Sequence, residues 1–171
     1  DRRFMANVMA QVTDPDVIPA VADTFALVYT PFHGCGYKLV PEALQRAGIR
    51  HLYCVPEQMV IDGNFPTVAS PNPGNPEGFA LAVELAKEKD VDFLLGTDPD
   101  SDRVGIMVRD RGGVYQTVTG NQTGVLLLDY LLGAMKRTGK LPGNAVALKT
   151  IVTTDMARAV AESYGVRCCD T

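Results

Sequence analysis

"FLLGTDPDSDRVGIMV", residues 93–108, is an apolar run, a turn with carboxylates at positions 98, 100 and 102, an arginine, and a second apolar run. A short apolar run bounded by turn residues has the pattern of a strand covered on both faces, which is how parallel sheets read. The neighbouring segments agree. Upstream, "TFALVY" (24–29) and "RHLYCVP" (50–56) read as strands, and a helix from Tyr37 to Ala47 separates them. "NPEGFALAVELAKEKD" then reads as a helix with Phe79, Val83 and Ala86 on one apolar stripe. Downstream, "RVGIMVRD" and "GVYQTV" meet through "RGG" and read as a hairpin added to the sheet.

The rest of the chain repeats the alternation. An opening helix is expected to end near "TDPDVIP", and a long helix from "TGNQTG" is expected to stop at Gly139. After "GKLPGN" a strand, a helix capped by Thr153 or Thr154, and the strand "VRCCDT" follow. The expected fold class is α/β: a three-layer α/β/α domain whose mainly parallel sheet carries an antiparallel hairpin edge, followed by the first β-α-β of a further α/β domain. The expected organisation is a lead-in over residues 1–22, the sheet domain over 23–141, and the start of another domain over 144–171.

Composition narrows the function classes. The 171 residues are 46% hydrophobic and 21% charged, which is ordinary globular composition. The net charge of −4 and the scattered basic residues exclude the one-sided basic footprint of a nucleic-acid binder. Cys35, Cys54, Cys168 and Cys169 lack C-x-x-C spacing, and sequence neighbours rarely bridge, so they read as reduced thiols of a cytoplasmic protein. The greasiest segment, "GVLLLDYLLGAM", is too short to span a bilayer and is interrupted by Asp129, so no membrane is expected. The chain opens at Asp1 without a secretory apolar region and reads as a piece of a longer protein.

The turn at 98–102 falls at the carboxyl edge of its strand, where open α/β sheets hold ligands. Each pair of carboxylates crowded there repels by about 1 kcal/mol in water at 4 Å, and by about 4 kcal/mol at the effective dielectric near a protein surface. A divalent cation reverses that sign. Oxygen ligands from Asp98, Asp100 and Asp102 suit Mg²⁺, with its remaining positions left to water or phosphate. The competing reading is a solvated acidic turn whose charges never meet. An EF-hand starting at Asp98 fails because its sixth and twelfth positions are Arg103 and Arg109. A haloacid-dehalogenase-type phosphatase with Asp98 as nucleophile, Asp100 beside it and Lys149 imitating its lysine stays open, although no later acidic pair completes its metal site. Arg103 suits a phosphate, or a salt bridge to the neighbouring aspartates.

Other candidates carry less. Gly34 and Gly36 in "HGCGYK" lack the third glycine of a dinucleotide fingerprint and read as a tight turn, with His33 as a hydrogen-bonded turn residue. His51 has no partner for a triad, and Ser70 sits in a proline-rich turn with no base nearby. The segment over residues 57–78, with Pro66, Pro71, Pro73 and Pro76, reads as a stiff extended crossover.

"GTDPDSDRVGI", with "YTPFHGCGYK", "VPEQ", "FPTVASPNPGNPE", "TGNQ" and "KTIVTT", resembles the α-D-phosphohexomutases, and among them the phosphoglucomutase/phosphopentomutase branch, from about Ala26 to Thr171. That resemblance implies Mg²⁺ held by Asp98, Asp100 and Asp102, with Arg103 near the transferring phosphoryl group. Many members carry Gly or Ala where this chain has Pro99 and Ser101. It implies an isomerase of phosphosugars that works through a phosphoserine and a bisphosphate intermediate such as glucose 1,6-bisphosphate. The nucleophile loop, the sugar-binding loop and the phosphate-binding loop of the family are not in this sequence. The chain is therefore expected to match the family's second domain and the opening of its third, to need domains I, III and IV for catalysis, and to be inactive alone.

Overall fold

The computed structural model describes residues 2–171. Helix α1 (Arg2–Met9) and the short α2 (Val17–Val21) precede strand β1 (Ala26–Thr30). Helix α3 (Gly36–Ala47) leads to β2 (His51–Cys54), and α4 (Ala80–Lys89) leads to β3 (Phe93–Thr97). Strands β4 (Val104–Arg109) and β5 (Tyr115–Val118) close the sheet, and α5 (Gly120–Arg137), β6 (Val146–Lys149), α6 (Met156–Ser163) and β7 (Arg167–Asp170) follow.

The five-stranded sheet has the order β2-β1-β3-β4-β5. The first three strands run parallel, and β4 and β5 are antiparallel additions. The expected architecture is therefore observed. The β1-to-β2 and β2-to-β3 connections run in opposite directions along the sheet, so right-handed crossovers place α3 and α4 on opposite faces. Covering both faces explains why consecutive residues Leu27, Val28 and Tyr29 are all buried. One face packs Val28, Phe32, Leu94 and Met107 against Phe79, Ala82 and Ala86. At the hairpin, Asp110 Oδ1 accepts the amides of Gly112 and Val114, and Gly113 takes the left-handed φ of +83° that a side chain would resist.

Two compact units divide at Val118 and Thr119. In the second, β6 and β7 pair in parallel, and Leu132 and Leu128 of α5 pack with Ala161, Val166 and Cys168. That packing takes α5 into the second unit, whereas the sequence reading drew its boundary between residues 141 and 144. In the first unit α1 buries Met5 and packs with α3, so residues 2–9 share the sheet domain's packing although the reading treated them as a lead-in. The stop of α5 is at Gly139 as expected, with φ +69°. Its start is a capping box: the Thr119 hydroxyl accepts the Gln122 amide while the Gln122 side chain accepts the Thr119 amide. Helix α6 begins after Asp155, and Thr154 contributes by accepting the Met156 amide at 3.3 Å.

Candidate metal centre

Strands β3 and β4 are consecutive and antiparallel, pairing Thr97 with Val104, so residues 98–103 form a six-residue connection at the carboxyl rim. Three bonds close it: the Asp98 amide donates to Arg103 O at 3.3 Å, the Ser101 amide to Asp98 O at 3.0 Å, and the Arg103 amide to Asp98 Oδ1 at 2.9 Å. Ser101 takes a left-handed φ of +59°, the conformation glycine adopts without cost.

The bend gathers the carboxylates predicted from sequence. Oxygens of Asp98, Asp100 and Asp102, one from each, all lie within 4.8 Å of one another. Oxygens sharing one Mg²⁺ lie about 3 to 4 Å apart, so small side-chain rotations bring this set onto one ion. The donor set is hard, monodentate and on one side of the turn, which fits Mg²⁺.

Electrostatics separates the three. Asp98 is fully buried. Burial alone would push its carboxyl up, but the amide and guanidinium of Arg103 together hold it below the ordinary carboxylate range. The Arg103 Nε donates to Asp98 Oδ2 at 2.7 Å, and the same bond raises the guanidinium's own value. Asp102 is pushed up, chiefly by the charge of Asp100. One arginine therefore leaves the loop with carboxylate repulsion it does not neutralise. Arg103 is anchored through Nε, yet its side chain keeps 59% of its surface open.

The loop is held from β1 and the turn that follows it. Tyr29 Oη and Thr97 Oγ1 lie 2.8 Å apart beneath it, and burial pushes the tyrosine up to about 12. The Cys35 amide donates to Pro99 O at 2.8 Å. Gly34 and Gly36 were expected to serve a tight turn; the structure gives them a different task. Neither has a positive φ, and a Cβ on Gly34 would meet the Pro99 backbone at 2.3 Å. A Cβ on Gly36 would meet Ser101 Oγ and Tyr29 Oη at 2.5 Å. These glycines let the β1–α3 turn lie flush against the carboxylate loop. The left-handed residues are Phe32 and His33 instead.

The remaining candidates have partners of their own. Ser70 Oγ accepts from Asn75 Nδ2 within its turn. Lys149 belongs to the second unit, where it pairs with Asp155 at 3.1 Å and Asp170 at 2.9 Å. Among the described residues all four cysteines are unbridged, and no helix is long and apolar enough to cross a membrane.

Comparison with known proteins meets this geometry. Residues 3–113 match the family model described as phosphoglucomutase/phosphomannomutase, alpha/beta/alpha domain II. A Staphylococcus epidermidis phosphoglucomutase is 38% identical over 140 residues, which are 82% of this chain and 25% of that protein. The chain thus spans about a quarter of the length of such curated relatives. Among solved structures, a Burkholderia thailandensis phosphoglucomutase/phosphomannomutase family protein superposes with a TM-score of 0.66 at 22% identity, over 93% of this chain and 32% of that one. Aspergillus fumigatus N-acetylphosphoglucosamine mutase, solved with GlcNAc-6P and magnesium, shares the fold at a TM-score of 0.59 and 12% identity, over 86% of this chain and 30% of that one. The chain belongs to the phosphoglucomutase/phosphomannomutase family, in the α-D-phosphohexomutase superfamily, and carries its domain II.

Proposed function

We propose that this chain is the metal-bearing middle segment of a phosphosugar mutase of the phosphoglucomutase or phosphopentomutase kind. Its first unit is the metal domain, and the second opens the domain that follows. The carrying observation is the convergence of three carboxylate oxygens beside an anchored but open arginine. Asp98, Asp100 and Asp102 would hold Mg²⁺, as the magnesium in the fungal structural relative supports. When bound, the ion supplies electrostatic stabilisation of charge on a phosphoryl group in transfer.

The chain's own residues do the rest. Asp98 stays ionised because Arg103 donates to both of its oxygens, and it fixes the guanidinium in return. Arg103 offers its remaining donors to phosphoryl oxygens arriving from a phosphoserine on another domain. Such an enzyme returns one phosphosugar through a bisphosphate such as glucose 1,6-bisphosphate, acts in the cytoplasm, and is inactive as this segment alone. The same two bonds weigh against the dehalogenase-type phosphatase, since an aspartate whose oxygens both accept from Arg103 is a poor nucleophile.

The test is turnover of glucose 1-phosphate with Mg²⁺ by the full-length parent carrying Asp100→Asn. The reading requires a large loss, and wild-type turnover refutes it. Hydrolysis of a generic phosphate ester by the 171-residue chain alone would revive the phosphatase.

A further inference from the structure

His33 lies outside the carboxylate cluster, and the proposed chemistry does not use it. It is nonetheless buried, at 3% exposure, and four hydrogen bonds converge on it. Its amide donates to Gln58 O at 2.9 Å and its carbonyl accepts the Asp62 amide at 3.3 Å. Its Nδ1 lies 2.9 Å from Val60 O and its Nε2 lies 2.8 Å from Thr67 Oγ1. A carbonyl only accepts, so Nδ1 carries the proton and Nε2 accepts from the Thr67 hydroxyl.

The chain of bonds continues without a gap. Thr67 Oγ1 accepts Gln58 Nε2 at 3.1 Å, Gln58 Oε1 accepts the Thr30 hydroxyl at 2.5 Å, and Thr30 Oγ1 accepts the Phe32 amide at 3.1 Å. This network encloses two successive left-handed residues that are not glycine, Phe32 at φ +46° and His33 at φ +65°. Such a backbone persists only where its surroundings fix it. What it fixes is the next two residues: Gly34 against Pro99, and the Cys35 amide on Pro99 O.

We infer that His33 is a positioning residue for the carboxylate loop: by tying the strained β1–α3 turn to residues 58–67, it holds the Cys35 amide on Pro99 and so fixes where Asp98 and Asp100 stand. The inference rests on the reading of residues 98–102 as the metal loop. It also gives the proline-rich crossover a task, since Val60 and Thr67 are the other ends of the tie.

The experiment is amide hydrogen exchange by NMR on the 171-residue chain, followed by Mg²⁺ titration watched at the amides of residues 98–103. Two variants are compared with wild type. His33→Gly removes the ring but welcomes the left-handed φ, so backbone strain is not what it tests. Thr67→Val removes the hydroxyl that Nε2 and Gln58 Nε2 share, leaves Gln58 Nε2 its second acceptor on Gly78 O, and spares the fold if His33→Gly does not. Both variants are expected to speed exchange at Cys35 at least tenfold while Leu94 in the central strand is unchanged. The Mg²⁺ concentration at half response is expected to rise by about 10- to 100-fold, as for other residues that orient ligands. Unchanged protection at Cys35 overturns the inference, and so does a loss shared equally with Leu94, which marks general destabilisation. If Cys35 is released in the variants but wild type gives no Mg²⁺ response, the brace stands and the metal reading fails.

Discussion

The two ends of β3 carry similar residues put to opposite use. At its beginning, Asp90 and Asp92 each accept from Arg109, through Nη2 at 2.7 Å and Nε at 2.5 Å. At its end, Asp98, Asp100 and Asp102 share Arg103, whose Nε hydrogen-bonds Asp98 at 2.7 Å and lies 3.9 Å from Asp102 Oδ1. The first cluster has a donor for each carboxylate, and both bonds raise the Arg109 guanidinium. The second has one carboxylate satisfied, and Asp102 is pushed up by its neighbour Asp100. Charge count, more than charge identity, separates a clamp that closes the sheet edge from the proposed cation site.

That contrast is breakable by substitution. The largest effect is expected for Asp100→Asn against Asp92→Asn in the full-length parent: Mg²⁺-dependent turnover falls by more than about tenfold in the first and is unchanged in the second, as losing a metal ligand requires. Equal losses would erase the distinction. Next, Gly34→Ala forces a methyl into the Pro99 backbone and is expected to cost about 1–3 kcal/mol of stability, read by urea denaturation. Arg109→Ala is expected to lower the thermal midpoint by a smaller amount that shrinks further in high salt, because its carboxylate partners are exposed. Asp102→Asn is expected to raise the midpoint slightly in chelator, since it relieves repulsion from Asp100 that Arg103 only partly offsets.

The smallest effect concerns acid. The backbone amide of Val114, then Gln116, holds Asp110 below its ordinary value, so its folded-state value lies beneath the unfolded one. The stability it contributes is full above the unfolded value, about 4, and disappears as pH falls through the lower folded value. Asp110→Asn should therefore flatten the decline of thermal midpoint below about pH 4 without altering Mg²⁺ binding.

Much of this was legible because it is local. Asp98, Asp100 and Asp102 lie within five consecutive residues, so their spacing already implied a common point, and the resemblance assigned it an ion. The alternation of apolar runs and turns revealed the sheet and its hairpin. The features that escaped are non-local or conformational. Nothing in "HGCGYK" announces that Phe32 and His33 rather than the glycines turn left-handed, because that is decided by Gln58, Thr67 and Pro99, distant in sequence. The division after Val118 is non-local in the same way: Leu128 and Leu132 of α5 pack with Ala161, Val166 and Cys168, distant in sequence.

The direct β3–β4 connection has a consequence for assembly. All three ligands ride on a hairpin whose closure spans residues 98–103, whereas the brace at Cys35 must join a partner more than sixty positions along the chain. Short closures cost little chain entropy and form early. The acidic bend should therefore take shape before its buttress arrives, so that a nascent chain would offer the proposed ion a loose set of carboxylates until β1 docks.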